Sequence, residues 1–173
     1  MVESRRGNGY ATDKFLGTPY KKDHNPHVLL DPEIDVLRDG VNCQAFVHLY
    51  YESEFGIKLP IGMWSKEIFE DTGEFFRSVT DDERIVRGDV CFFGRQGAQS
   101  KDLHLGIVHK VGENLEATII RHANQEDNEV SDWSLSKALD YPRYSVLRGV
   151  RRIIPDIFST TIAPVLVFES SSV

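Results

Sequence analysis

The sequence predicts an α+β fold, with helices in the first half of the chain and an antiparallel sheet in the second. Apolar residues recur at helical spacing between Asn42 and Gly56. After residue 88 the apolar residues instead alternate with a period of two, which is typical of strands. Helices and strands are therefore grouped separately along the chain, as they are in α+β domains.

The helix after Asn42 has recognisable start and stop signals. Asn42 is a good N-cap, and Gly56 suits the left-handed position at which helices end. The apolar side of this helix comprises Phe46, Val47, Leu49 and Tyr50. Cys43 is therefore expected in the first turn. A second helical stretch is expected around Trp64 to Phe69.

Four strands are expected from the residues alone, over residues 90–93, 103–111, 115–122 and 144–154, with a polar segment at 123–142. The flanking regions are expected to be irregular: a flexible arm at 1–14, a long surface loop at 21–42 and a C-terminal extension at 155–173. The main folded domain would then occupy residues 15–154.

Length and composition restrict the classes of function. The chain has 173 residues, which favours one domain, and its formal charge of −7 argues against nucleic-acid binding. Nucleotide-binding glycine motifs are absent from the sequence. There is no apolar stretch long enough for a membrane span and no Sec signal peptide in this sequence. We therefore expect a soluble protein, either cytoplasmic or exported by a non-Sec route.

The two cysteines are expected to differ in chemistry. Cys43 at a helix N-terminus lies near free backbone N–H groups, which favour the thiolate and make it a candidate nucleophile. Cys91 lies in an apolar strand, where burial keeps a thiol neutral and inert. Position alone does not decide Cys43, because a free cysteine is often a small buried apolar residue.

A cysteine nucleophile needs a base and a group that orients the base. His104 and His122 lie on neighbouring predicted strands and can approach the same helix N-terminus, although each is also compatible with an ordinary structural histidine. His24 and His27 lie in the loop at 21–42 near two aspartates, but loop histidines are more often solvated than bound to metal. No metal and no cofactor is expected.

Six fragments occur in an order that is known from one protein family. They are Gly17–Tyr20, Asn42–Val47, Gly56–Pro60, Arg87–Phe93, His104–Val108 and His122–Ala123. Together they resemble the NlpC/P60 family of papain-like cysteine peptidases, whose members read G-x-P-Y, D-C-S-G-F, G-x-x-L-P, G-D-L-x-F-F, H-V-G-I and H-A. The resemblance covers residues 15–153, nearly the whole chain.

The resemblance implies a papain-like fold with N-terminal helices on an antiparallel sheet of about five to six strands. It also implies cysteine-dependent hydrolysis of an amide bond through a thioacyl intermediate, usually in the stem peptides of bacterial peptidoglycan. By position, Cys43 is similar to the nucleophile, His104 to the base and His122 to the group that orients the base. Tyr20 matches a tyrosine near the site, and the backbone N–H of Cys43 or Gln44 would bind the oxyanion.

Three residues around the cysteine depart from the family pattern. Asn42 replaces an aspartate, while Gln44 and Ala45 replace serine and glycine. These departures bear on the substrate more than on the mechanism. The open alternatives are a CHAP-like amidase, a secreted effector or phage lysin acting on another amide, and a non-catalytic binding or structural protein that keeps the fold. The sequence makes no prediction of oligomeric state.

Overall fold

The computed structural model describes residues 9–155. Its α-helices are α1 (Val36–Asp39), α2 (Cys43–Phe55), α3 (Ser65–Glu70) and α4 (Leu135–Asp140), with short 3₁₀ segments at Ala11–Phe15, Pro26–Leu30 and Ser100–Asp102. Its strands are β1 (Phe76–Ser78), β2 (Val90–Gly94), β3 (His104–Lys110), β4 (Ile119–Asn124), β5 (Glu129–Ser134) and β6 (Val146–Ile153).

The strands form one six-stranded sheet in the order β1-β6-β2-β3-β4-β5, and all neighbours are antiparallel. Strands β2 to β5 follow one another across the sheet, whereas β6 returns from the far side to pair with β2. Helices precede most of the sheet in the chain. The predicted α+β class and antiparallel sheet are therefore confirmed.

The two faces of the sheet carry separate apolar clusters. Helix α2 packs on the face that holds Leu105 and Ile107, whereas Val108 and Ile120 on the opposite face pack with α4. Because strand side chains alternate between faces, His104 belongs with Val108 on the face away from α2. His104 and His122 therefore do not lie beneath the helix, and Cys43 in the first turn of α2 lines a common cavity with His104 at the end of the sheet.

Helix α2 begins and ends as its local sequence predicts. The Asn42 side-chain oxygen accepts hydrogen bonds from the N–H groups of Gln44 and Ala45, at 3.0 and 2.9 Å. Gly56 ends the helix with φ of 67°, in the left-handed region that favours glycine. The Asn42 amide N–H also donates to the Lys22 carbonyl at 3.1 Å, which an aspartate does not do. An asparagine at this position therefore caps the helix and holds the preceding loop.

Residues 10–14 differ from the expected flexible arm. Thr12 is fully buried, and its hydroxyl donates to Glu54 of α2 at 2.6 Å. The buried Arg121 of β4 donates to Asp13 at 2.8 Å and to both carboxylate oxygens of Asp132 on β5. These contacts tie the segment to the helix and to the sheet. Residues 1–8 and the predicted extension beyond Pro155 lie outside the described residues.

Several predicted boundaries were wrong for local reasons. The predicted strand at 115–122 begins only at Ile119, because Asn114 and Thr118 bond within a turn over residues 112–118. The predicted loop at 21–42 contains a 3₁₀ segment and α1. The polar segment at 123–142 contains β5 and α4, and the three-residue β1 was missed because it is too short to show a period.

Within residues 9–155, no helix combines the length and the apolar character needed to cross a membrane.

Replacing Asn42 tests how much the cap stabilises the fold. Asn42→Ala removes the acceptor for two helix N–H groups and is expected to lower the free energy of unfolding by about 1–2 kcal/mol. Asn42→Asp keeps that acceptor and loses only the contact to Lys22, so its loss is expected to be smaller. Urea unfolding followed by tryptophan fluorescence measures both variants. Equal losses in the two variants would contradict a capping role.

Candidate active site

A cavity of about 240 Å³ opens where the N-terminus of α2 meets the start of β3. Four of the five residues predicted for the site line it: Tyr20, Cys43, Gln44 and His104. His122, the fifth, lies behind His104 and is fully buried. The remaining walls come from Lys22, Asn42, Phe93, Lys101, Asp102, Leu103, Gln125, Arg143 and Tyr144. The fold thus brings together a helix start and a strand start that are 61 positions apart in the sequence.

Burial raises the pKa of the Cys43 thiol above its ordinary value. The backbone N–H groups of Leu105, Cys43 and Gln44 act in the opposite direction, as does the positive charge of Arg143, but they do not outweigh burial. The expected thiolate at rest is therefore opposed by desolvation. Cys91 is fully buried, and burial raises the pKa of its thiol to about 12.

His104 and His122 form a hydrogen-bonded pair, with 2.7 Å between Nε2 of His104 and Nδ1 of His122. The His104 ring stacks on Tyr144 with 4.3 Å between ring centres, and the His122 ring meets the edge of Trp133 at 4.8 Å. Burial lowers the pKa of His104 well below its ordinary range, and it lowers the pKa of His122 to about 3. Both imidazoles are therefore neutral at pH 7.

A hydrogen-bond chain continues from His122 away from the cavity. The Asn124 side-chain N–H lies 3.2 Å from Nε2 of His122 and 2.8 Å from the Ser131 hydroxyl oxygen. Ser131 in turn donates to the Asp127 carboxylate at 2.5 Å, and the indole N–H of Trp133 donates to the same oxygen at 2.6 Å. The histidine pair is thus connected to a carboxylate through an amide and a hydroxyl.

Tyr20 and Gln44 lie at the cavity in different ways. Burial raises the pKa of Tyr20 to about 12, with a smaller contribution from nearby Cys43, so its hydroxyl stays protonated. The Gln44 side-chain amide donates to Ser65 of α3 at 3.3 Å, and its oxygen has no hydrogen-bond partner among residues 9–155. The backbone N–H of Gln44 already donates to Asn42, so that of Cys43 is the better candidate for an oxyanion donor.

The cavity wall carries more positive than negative charge. Lys22, Lys101 and Arg143 line it, against the single carboxylate of Asp102. The Arg143 guanidinium donates to the Gln125 side-chain oxygen at 2.7 Å and forms an ion pair with the Glu126 carboxylate at 3.5 Å, which offsets part of its charge. This arrangement suits a substrate that bears a carboxylate.

Sequence reasoning missed the residues that surround the histidine pair. Asn124 follows His122 by two positions and therefore shares its face, so a strand assignment through residue 124 would have placed the two side by side. Trp133 contacts the pair from β5, and Tyr144 contacts it from the turn before β6. No local sequence pattern marks either residue.

The other histidines have structural surroundings. His24 bonds through Nδ1 to the Gly40 carbonyl at 2.9 Å, and the His27 ring packs against Trp64. In the part of the chain that the structure describes, no group of three or more His, Cys, Asp or Glu side chains is arranged to hold a metal ion.

Comparison with solved structures identifies proteins of the same fold. NlpC1 from Trichomonas vaginalis is 17% identical, with a TM-score of 0.51 over 82% of this chain and 41% of that one. NlpC2 from Trichomonas vaginalis is 17% identical, with a TM-score of 0.50 over 82% and 44%. The NlpC/p60 domain of the peptidoglycan hydrolase SagA is 20% identical, with a TM-score of 0.41 over 73% and 86%.

The chain spans less than half the length of the two Trichomonas proteins. No family model and no curated protein matches it. At these identities the similarity to solved structures establishes the fold. The chain therefore has the fold of NlpC proteins, which confirms the fold implied by its resemblance to the NlpC/P60 family.

Proposed function

We propose that this protein is a cysteine-dependent amide hydrolase that cleaves peptide substrates, with peptidoglycan stem peptides as the first substrate class. The main supporting observation is that one cavity is lined by both Cys43, at the start of α2, and His104. The His104 ring is in turn hydrogen-bonded to His122 at 2.7 Å. A thiol, an imidazole and a second imidazole that holds the first are the groups that nucleophilic catalysis by cysteine requires.

The proposed reaction starts from a neutral thiol. His104 takes the thiol proton, and it does so through Nδ1 because Nε2 is bonded to His122. The Cys43 sulfur attacks the amide carbon, and the backbone N–H of Cys43 donates to the oxyanion. The carbon–nitrogen bond then breaks, and the amine leaves with the proton from His104. Water finally hydrolyses the thioester and restores the thiol.

The charge of the cavity wall supports an acidic peptide as substrate. Lys22, Lys101 and Arg143 provide positive charge at the cavity, opposed by Asp102 in the wall and by Glu126, which pairs with Arg143 at 3.5 Å. Stem peptides of peptidoglycan carry free carboxylates, which these cations would attract. The name of the SagA peptidoglycan hydrolase agrees with this substrate class, but the charge of this chain's own cavity is the supporting observation.

The test of the function is a substrate digest. Purified peptidoglycan fragments are incubated with the protein, and the released stem peptides are identified by mass spectrometry. We expect products whose formation stops in Cys43→Ser, because a hydroxyl in this position is a much weaker nucleophile than a thiol. The matched control is Cys91→Ser, which changes a buried cysteine remote from the cavity. Identical product patterns in wild type and Cys43→Ser would contradict the proposal.

The two histidines are expected to contribute unequally to the rate. His104→Ala removes the base, so kcat/KM should fall by about 10²- to 10⁴-fold. His122→Ala should cause a smaller loss, since it removes only the group that holds the base. His122→Gln, which retains hydrogen-bonding capacity, should recover part of that loss. An unchanged rate in His104→Ala would show that another group is the base.

The rate of thiol alkylation should follow the raised pKa of Cys43. Iodoacetamide reacts with the thiolate, and burial makes that form scarcer at neutral pH than for an ordinary cysteine. We therefore expect the labelling rate of Cys43 to keep rising as the pH increases beyond 9, while Cys91 stays unlabelled in the folded protein. Mass spectrometry of labelled peptides measures both sites. A rate that is already maximal near pH 6 would instead show a thiolate paired with an imidazolium.

A further inference from the structure

The orientation of the Asn124 side chain is fixed from two sides. Its oxygen accepts a hydrogen bond from the backbone N–H of Asp127 at 2.7 Å. Its nitrogen lies 2.8 Å from the Ser131 oxygen, and the Ser131 proton is already donated to the Asp127 carboxylate. The serine oxygen can therefore only accept from Asn124. The two ends of the amide cannot be exchanged without breaking both contacts.

This orientation determines where His122 carries its proton. Beside the Glu129 carbonyl oxygen at 3.5 Å, the second N–H of the Asn124 amide has a nearer acceptor in Nε2 of His122, which lies 3.2 Å from the amide nitrogen. Two N–H groups cannot face each other at that distance, so Nε2 must be the unprotonated nitrogen. A neutral His122 then carries its proton on Nδ1.

The proton on His122 determines the protonation of His104. Nδ1 of His122 lies 2.7 Å from Nε2 of His104, so the proton on Nδ1 is donated to that nitrogen. Nε2 of His104 is therefore an acceptor, and a neutral His104 carries its own proton on Nδ1. That nitrogen is the one on which His104 would receive the proton of Cys43.

From this geometry we infer that Asn124 is a positioning residue that holds the histidine pair in a resting tautomer, with Nδ1 of both rings protonated. This inference rests on the proposed function in that Cys43 and His104 are taken as nucleophile and base. If His104 were protonated at both nitrogens, its Nε2 would donate to Nδ1 of His122. His122 would then carry its own proton on Nε2, where that proton would face the N–H of Asn124. Activation therefore requires the Asn124 amide and the His122 ring to separate.

The resting and active arrangements hold the same number of protons. In the resting pair both rings are protonated on Nδ1, and in the active pair both are protonated on Nε2. In the exchange the Nδ1 proton of His122 passes to Nε2 of His104, His104 releases its Nδ1 proton to water in the cavity, and Nε2 of His122 takes one proton from water once the Asn124 amide has separated from it, so no net proton is taken up. In the active pair His104 donates to His122, and its Nδ1 is free to accept the proton of Cys43.

The surrounding charges disfavour the imidazolium form of both rings, whereas Asn124 determines the tautomer of the neutral form. Lys137, whose ammonium lies 3.8 Å from the centre of the Trp133 ring, disfavours a positive charge on His122. Arg143 and the neighbouring imidazole disfavour a positive charge on His104. On the other side of the His104 ring, Tyr144 donates its hydroxyl proton to Glu126 and offers only its ring face. The anionic groups Asp127 and Glu126 bond to neighbours of the histidines rather than to the histidines themselves.

Nitrogen-15 NMR of the imidazoles tests the inference without any substrate. Protonated and unprotonated ring nitrogens have distinct chemical shifts, and spectra of His104→Gln and His122→Gln assign the signals in labelled wild-type protein. At neutral pH we expect both His122 and His104 to be neutral and protonated on Nδ1. A proton on Nε2 of His122, or an imidazolium at either ring, would overturn the inference.

A variant reverses the effect of Asn124. In Asn124→Asp a carboxylate oxygen replaces the N–H and accepts a proton from Nε2 of His122, which favours the imidazolium at His104 and the thiolate at Cys43. The pH midpoint of Cys43 alkylation should then shift downward by about one unit or more, as expected for a charge-assisted hydrogen bond. The control is Asn114→Asp, which makes the same substitution in the turn before β4 and likewise keeps the side-chain oxygen that accepts from a backbone N–H. A midpoint equal to that of the control would overturn the inference.

The two proposals fail separately. Absence of peptide cleavage, with the expected tautomers and alkylation shift, would reject the hydrolase function and leave the role of Asn124 intact. Cysteine-dependent cleavage with a proton on Nε2 of His122 would reject the role of Asn124 alone.

Discussion

Asn42 joins three parts of the chain at the point where the cavity forms. Its oxygen accepts from the first turn of α2, its amide N–H donates to the Lys22 carbonyl, and its backbone N–H donates to the His24 carbonyl at 3.0 Å. Because these bonds are made beside Cys43, they fix the sulfur at the helix start and the loop that forms one wall of the cavity. Removing the cap would therefore affect the site as well as the helix.

Desolvation determines the resting chemistry of this site. His122 is fully buried against Trp133, His104 is half-buried against Phe93 and Tyr144, and desolvation acts against the charged forms of both imidazoles and of the Cys43 thiol. The nearby carboxylate of Asp127 accepts hydrogen bonds from Ser131 and Trp133 rather than from either histidine. The proposed nucleophile and base are therefore expected to be uncharged at rest.

The ion pairs of the buried Arg121 lie away from the histidine pair and hold the sheet to the N-terminal segment. Arg121 crosses between Asp13 and Asp132, so β4, β5 and the first described residues are joined by one guanidinium. The buried guanidinium of Arg121 is tolerated because it is paired with carboxylates, whereas an unpaired charge inside a protein is strongly destabilising. The arrangement keeps this fixed charge away from the histidine pair.

The sequence alone determined the elements that depend on neighbouring residues. The cap at Asn42, the end of α2 at Gly56 and the strands over Val90–Gly94 and His104–Lys110 follow from local hydrogen bonding and from the period of the apolar residues. The same information identified Cys43, His104 and His122 as candidates. It missed the short β1, and it missed β5 because one side of that strand is polar.

Only the tertiary structure decided which face of the sheet carries the histidines, which aromatic rings enclose them and which way their hydrogen bonds run. Those properties depend on residues distant in sequence: Tyr144 against His104, and Ser131 and Asp127 behind Asn124. Protonation follows from burial and from the direction of each hydrogen bond, and both quantities exist only once the chain has folded. The sequence therefore determined the candidate groups, and the packing determined their burial and their hydrogen-bond partners.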